Sequence, residues 1–452
     1  MPSTSPAAPL DTSAPHTRPP VLSRLSSPRA VLLCLSLLTL AISLLFARPW
    51  ASWASWASWA SSSSTCSASP RHLASHLARL ATTSSCKPSA TTATNMSAAY
   101  DTEWKVARLA VQRASVLTKR VFHEKAKGTV SKDDKSPVTI GDFGAQALII
   151  SALRAHFPND EIVAEEEADQ LRSDENLRNT IWDFVKDTNL KQDASNQAIG
   201  GPIPSIDAML DLLDQGKSNG GRSGRVWTID PIDGTKGFLR GGQYAVCVGL
   251  IVDGDVKVGV LGCPNLPISD SEPLTTDIGT NQTDREGTHG VLFSAVLGKG
   301  AYSAPLADES LEQTHPISMS KVTAAGLADA SFCESVEAGH SNQSESAQIA
   351  QKLGITRPSV RMDSQAKYGS IARGAGDVYL RLPVSATYQE KIWDHAAGDL
   401  IVREAGGVVT DTLGNQLDFG NGRTLAANKG VVAAPAAIHS VVLTAVKEVL
   451  KL

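Results

Sequence analysis

Residues 226–238 read Val-Trp-Thr-Ile-Asp-Pro-Ile-Asp-Gly-Thr-Lys-Gly-Phe, two acids separated by a proline turn and followed by a glycine loop of a size to hold a phosphate. Val226 to Ile229 form a short apolar stretch suited to a buried strand, which puts Asp230 at its exit, where α/β proteins carry their chemistry. Pro231 fixes one backbone torsion and turns the chain, so Asp233 can return beside Asp230. Two carboxylates that close repel each other unless a cation lies between them. Gly234 permits close approach of a ligand, and if a helix starts here the amides of Gly234 and Thr235 can donate to phosphate oxygens. The competing reading is an ordinary acidic surface turn of the Asp-Gly kind.

Further acids occur at comparable places. Asp133 and Asp134 precede Ser136-Pro137-Val138-Thr139 and a helical pattern, Val163-Ala164 runs into Glu165-Glu166-Glu167, and Asp394 opens another helix in Trp-Asp-His-Ala-Ala-Gly. Before a helix Asp394 reads as an N-cap, a role compatible with holding a metal. Glu166 and Glu167 read as solvated, because a glutamate run usually marks an exposed face, or as supports behind Glu165. Tyr368 and Tyr388 read as core.

With 452 residues, 42% of them hydrophobic, the chain can bury one large or two medium cores. Its net charge of −4 offers no basic surface for a nucleic-acid polymer, though a single nucleotide is still allowed. The six cysteines show neither zinc-ligand spacing nor a CxxC pattern.

The first 95 residues differ in kind. They are rich in Ser, Ala, Thr and Pro, and Asp11 is their one acid. Residues 31–47, an apolar segment of about 17 residues after Arg24 and Arg29, sit at the lower limit for a membrane span. They read as a signal anchor, which would make the remainder of the chain luminal, or as a cleaved secretory signal. A product starting at Met96 would be cytoplasmic. The Trp-Ala-Ser repeat from Trp50 to Trp59 and the serine tract after it read as disordered.

Beyond Met96, helical spacing of Ala107, Ala110, Ala114, Leu117 and Val121 predicts a helix over 101–121. A polar turn-rich stretch, 128–139, places Asp134 on a mobile loop before a helix over 141–156. Ile162 to Ala164 predicts a strand. In the polar stretch 169–224 the spacing of Ile206, Met209, Leu210 and Leu213 marks a helix. Hairpins are predicted around Asp253-Gly254-Asp255 and Gly298-Lys299-Gly300. In the last third, strands are expected at 331–336 and 377–382, with helices at 344–353, 364–374 and 394–404.

The ordered series Asp134, Glu165, Asp230/Asp233/Thr235 and Asp394 resembles the lithium-sensitive, magnesium-dependent phosphatase superfamily of inositol monophosphatase and fructose 1,6-bisphosphatase. Within it, Val336-Glu337-Ala338-Gly339-His340, Asp363 to Tyr368, and the run from Asp377 through Asp394 are similar to the 3'(2'),5'-bisphosphate nucleotidases of fungi and plants. The likeness covers about Ser97 to Leu452. It departs at Ala164, where the family usually has glycine.

The resemblance implies an α/β fold, a five-layer αβαβα sandwich of two sub-domains with the site in the cleft between them. The sub-domains would be 97–310, carrying the metal site, and 311–452, completing the nucleotide and metal site, after an extension 1–96. Glu165, Asp230, the Ile232 carbonyl, Asp233 and Asp394 would hold two or three Mg²⁺ ions, with Li⁺ and Na⁺ as competing inhibitors. Asp134 and Thr235 would be catalytic, activating water. Gly234, Thr235, His340, Ser364, Lys367 and Arg381 would bind a nucleotide bisphosphate. The implied reaction removes the 3'-phosphate of adenosine 3',5'-bisphosphate to leave AMP, and acts also on 3'-phosphoadenylyl sulfate. The alternatives are an inositol phosphatase and a membrane-tethered, cation-binding scaffold without turnover. The oligomeric state is left open and is compatible with a monomer.

Overall fold

The computed structural model describes residues 99–124, 129–131, 137–269, 287–310, 313–385 and 387–452, with Leu274 and Ile278. They lie within a single compact unit. The apolar segment 31–47 and Asp134 fall outside the described residues. Among the described residues no helix is long and apolar enough to cross a membrane.

Helix α1 (Asp101–His123) is followed by the paired strands β1 (Thr129–Ser131) and β2 (Pro137–Thr139), then by helix α2 (Ile140–His156). All five apolar positions that predicted α1 are fully buried. Thr139 caps α2: its hydroxyl accepts from Gly141 N at 3.1 Å, while its own backbone N–H donates to Asp142 at 2.8 Å. This reciprocal arrangement satisfies two N–H groups that a helix start leaves open.

After β3 (Glu161–Ala164), the polar stretch holds four helices where its apolar spacing marked one: α3 (Asp169–Ser173), α4 (Glu175–Lys186), α5 (Asp193–Gln197) and α6 (Ile206–Asp214). The longest, α4, buries Ile181, Phe184 and Val185, packs Leu177 and Trp182 partly against the same core and is otherwise polar, so its composition hid it.

Strand β4 (Arg225–Asp233) and the short helix α7 (Thr235–Arg240) precede β5 (Ala245–Val252), β6 (Asp255–Pro267), β7 (His289–Val296), β8 (Gly300–Pro305) and β9 (His315–Ile317). Among the described residues these make a seven-stranded sheet in the order β3 to β9, with β3 and β4 parallel and the other neighbours antiparallel. The β5–β6 turn places Asp253 at φ 52° and Gly254 at φ 84°, the left-handed pair a tight hairpin needs.

A second, five-stranded sheet has the order β11-β10-β12-β14-β13. Its strands are β10 (Phe332–Glu334), β11 (Val360–Arg361), β12 (Val378–Arg381), β13 (Gly407–Thr410) and β14 (Val431–Pro435). The accompanying helices are α8 (Gln343–Lys352), α9 (Ala366–Ala372), α10 (Ala396–Glu404) and α11 (His439–Leu450). Helices α1 and α2 pack on the larger sheet, α9 and α10 lie between the two sheets, and α8 and α11 cover the far side of the smaller one. The result is the expected five-layer αβαβα sandwich.

Candidate active site

Asp230 does not leave the sheet as expected, because β4 continues to Asp233. Its pairing with β5 slips between Asp230, opposite Cys247, and Asp233, opposite Ala245. In a regular strand residues three apart face opposite sides. The slip adds a residue at Pro231-Ile232, where proline has no N–H for the ladder, and lets both carboxylates reach one side. Gly234 then turns the chain at φ 86° into α7, and a Cβ there would stand 3.1 Å from those of Asp363 and Ser364. Strand β4 is thus pressed directly against the segment that opens α9.

The resulting cavity, about 370 Å³, is lined by the acids Glu165, Asp230, Asp233 and Asp394 and by Ile232, Gly234 and Thr235. His340, Ser364, Lys367 and Arg381 face the same space. Every residue expected at the site is therefore gathered in one pocket, apart from Asp134, which lies outside the described residues.

Asp230, Asp233 and Asp394 each offer an oxygen within 4.8 Å of the others; Glu165 lines the pocket without joining that group. Burial, then the charges of Glu165, Asp233 and Asp394, push the Asp230 carboxyl well above the usual range. Burial and Asp233 lift Asp394 to about 7 against the pull of Arg381. Burial lifts Asp233 to about 6, although Lys367 and the Gln365 backbone N–H, which donates to it at 2.5 Å, favour its anion. Clustered, largely buried and mutually repelling oxygen donors are the surroundings a hard divalent cation stabilises.

Cationic groups share the pocket with the acids. Lys367 is almost fully buried, donates to the Ser364 and Met362 carbonyls at 2.8 and 3.1 Å, and is lowered to about 8 by burial. Burial, then Arg381 and Lys367, depress His340 to about 4, leaving it neutral near pH 7. Arg381 stands against Glu390.

Three expectations need correction. Asp394 ends a short 3₁₀ turn, Ile392–Asp394, and the cap of α10 is His395, so Asp394 turns its carboxylate to the pocket rather than to the helix amides. Glu166 is buried, not solvated: the Gln146 amide accepts from its N–H and donates to its C=O at 2.9 and 2.7 Å. Tyr388 is half exposed at the pocket and is not core, in contrast to the buried Tyr368.

The sequence reading missed several contributors. Arg240 bridges Glu337 and Asp363, and Arg423 donates to the Ala164 carbonyl at 2.6 Å while stacking 4.9 Å from the Trp393 ring. Gln365 donates to the Trp393 carbonyl at 2.7 Å and accepts from Gly398 N at 2.9 Å, joining the Asp233 side of the pocket to the Asp394 side. Ser364 adopts φ 70°, unusual for a residue with a side chain, at the bend that directs these groups inward.

The profile of the inositol monophosphatase family matches residues 95–451, and the chain belongs to that family. It is 65% identical over 353 residues to a 3'(2'),5'-bisphosphate nucleotidase of Emericella nidulans, covering 78% of this chain and 99% of that protein. A 3'(2'),5'-bisphosphate nucleotidase of Schizosaccharomyces pombe is 49% identical, covering 76% of this chain and 95% of that one. One of Oryza sativa is 41% identical, with 78% and 95% covered. A solved Thermotoga maritima IMPase superposes with a TM-score of 0.46 at 19% identity, covering 76% of this chain and 95% of that one. The chain is a phosphomonoester hydrolase.

Proposed function

We propose that this chain removes the 3'-phosphate from adenosine 3',5'-bisphosphate, leaving AMP, and acts likewise on 3'-phosphoadenylyl sulfate. The observation carrying this reading is that one small cavity holds both a cluster of carboxylates and the cations Lys367 and Arg381. A ligand with two phosphates, one for cations held by the acids and one for Lys367 and Arg381, suits this lining, and the relatives' names point to the same substrate class.

Glu165, Asp230, Asp233, Asp394 and the Ile232 carbonyl would hold Mg²⁺, their hard oxygens suiting it. When bound, the ions would make a water more acidic and offset charge on the transferring phosphoryl group. Thr235 donates to the Ile232 carbonyl at 3.2 Å, leaving its oxygen lone pairs to accept from and orient a water. Asp134 is assigned as the acceptor of that water's proton. Lys367 and Arg381 supply a point charge and a two-pronged fork for the phosphate that does not react, His340 and Ser364 add uncharged polar contacts, and Gly234 lets the backbone approach.

Phosphate release from adenosine 3',5'-bisphosphate, 3'-phosphoadenylyl sulfate and an inositol monophosphate, each with Mg²⁺ and with or without Li⁺, tests the reading. The nucleotides should be turned over fastest, only with Mg²⁺, and Li⁺ should inhibit. Faster release from the inositol phosphate would move the chain to the sister activity.

A further inference from the structure

Arg381, at the end of β12, sits between two carboxylates with different tasks. Its Nε lies 2.7 Å from Glu390 Oε2 and its Nη2 lies 3.9 Å from Asp394 Oδ2. The Nε–H is not aligned on any acceptor. The short contact and the opposite charges hold the guanidinium toward Glu390.

Glu390 is supported from behind. His395 Nε2 is 3.3 Å from the same Oε2, and His395 Nδ1 is 2.9 Å from the Tyr368 hydroxyl. A carboxylate can only accept, so Nε2 carries the hydrogen; in the neutral imidazole Nδ1 then accepts from Tyr368, and in the imidazolium it donates to it. All three side chains are buried. The row Tyr368–His395–Glu390 ends on Arg381 without touching the Asp230–Asp233 pair.

We propose that Glu390, steadied by His395 and Tyr368, is a positioning residue that draws the Arg381 guanidinium away from Asp394 and keeps that carboxylate available to a divalent cation. The inference rests on the reading of Asp394 as a cation ligand. Asp394 has two suitors of positive charge, and at its partly buried place a charge within about 4 Å competes directly with an incoming ion. Without the Glu390 charge, the nearest remaining carboxylate to Arg381 is Asp394, and a divalent cation would have to displace a guanidinium to bind. A rival role exists, because Glu390, Asp394 and His395 also offer atoms within 4.8 Å of one another and Glu390 could itself be a ligand. Its close contact with Arg381 favours the positioning role.

Mn²⁺ binding to the substrate-free full chain, followed by electron paramagnetic resonance, separates these roles. Glu390→Gln should weaken binding by about 10- to 100-fold, the usual cost of losing a supporting partner. Arg381→Met should bind at least as tightly as the wild type, and the double variant should behave as Arg381→Met does. Tyr368→Phe, a milder change should Glu390→Gln fail to fold, should weaken binding less, and only while Arg381 is present. An equal loss from Glu390→Gln with and without Arg381 overturns the proposal in favour of a ligand or scaffold role. Unchanged affinity in both Glu390→Gln and Tyr368→Phe overturns it as well. A wild-type chain that binds no Mn²⁺ instead sinks the cation reading itself.

Discussion

Lys367 keeps its ammonium where almost no water reaches it, held by two carbonyl oxygens and the nearby Asp233 and Asp363 carboxylates. Its pKa, lowered to about 8, puts loss of charge within reach of mildly alkaline buffers. If Lys367 grips the non-reacting phosphate, KM for the bisphosphate should rise as pH passes from 7 to 9. In Lys367→Met it should be raised about 10- to 100-fold and stay flat, since a charged hydrogen bond contributes about 1.5–3 kcal/mol. Initial rates across that range check this. Stability carries the opposite sign. The unfolded chain holds the lysine proton up to its ordinary value of 10.5, so between about 8 and 10.5 it binds more protons than the folded one. Unfolding free energy should therefore rise with pH in that window, and Lys367→Met should remove the rise in urea titrations.

Among the elements, the contact between α9 and α10 transmits most to the site. A Cβ on Gly398 of α10 would fall 2.3 Å from the Tyr368 ring of α9, and that ring is boxed edge-on by Tyr379 at 4.8 Å. Neither side can yield without moving a helix. Gly398→Ala should cost about 1–3 kcal/mol in chemical denaturation, as overpacked cores do. Because Gly398 N donates to Gln365, whose own N–H holds Asp233, the same change should lower kcat at saturating substrate. Elements were legible where their signal was local: the helical stripe of α1 and the Asp-Gly turn after β5 depend on neighbours in sequence. The bulge in β4 was not, because a register slip is a property of two strands and only one of them holds the proline. The misreading of Asp394 has a similar origin, for an aspartate before a helix looks the same whether its carboxylate turns to the amides or away from them.

At the scale of the whole molecule, the acidic cluster sets a balance between stability and function. Buried carboxylates that repel each other destabilise the cation-free protein, and a bound ion reverses the effect. At Mg²⁺ concentrations about a hundredfold above Kd the gain should be about 2.7 kcal/mol, or about 5 °C in Tm. Asp233→Asn should start from a higher Tm in chelator and show no such shift, which differential scanning calorimetry would reveal. The gathering of Glu165, Asp230, Asp233 and Asp394 was readable as a list of acids but not as a distance, since their meeting depends on how two sheets clasp the α9–α10 layer. The partners of Arg381 were hidden for the same reason: Glu390 is near in sequence, yet only the path of the chain after β12 brings it back to the guanidinium.

The pocket draws its last carboxylate, Asp394, from the final third of the chain, and that order has a temporal meaning. On the ribosome, the β4 turn with Asp230 and Asp233 is synthesised long before its opposing wall. A polypeptide interrupted ahead of Asp394 would own the beginnings of an ion nest and nothing to close it, so premature termination anywhere upstream should leave an inert product rather than a weakened enzyme.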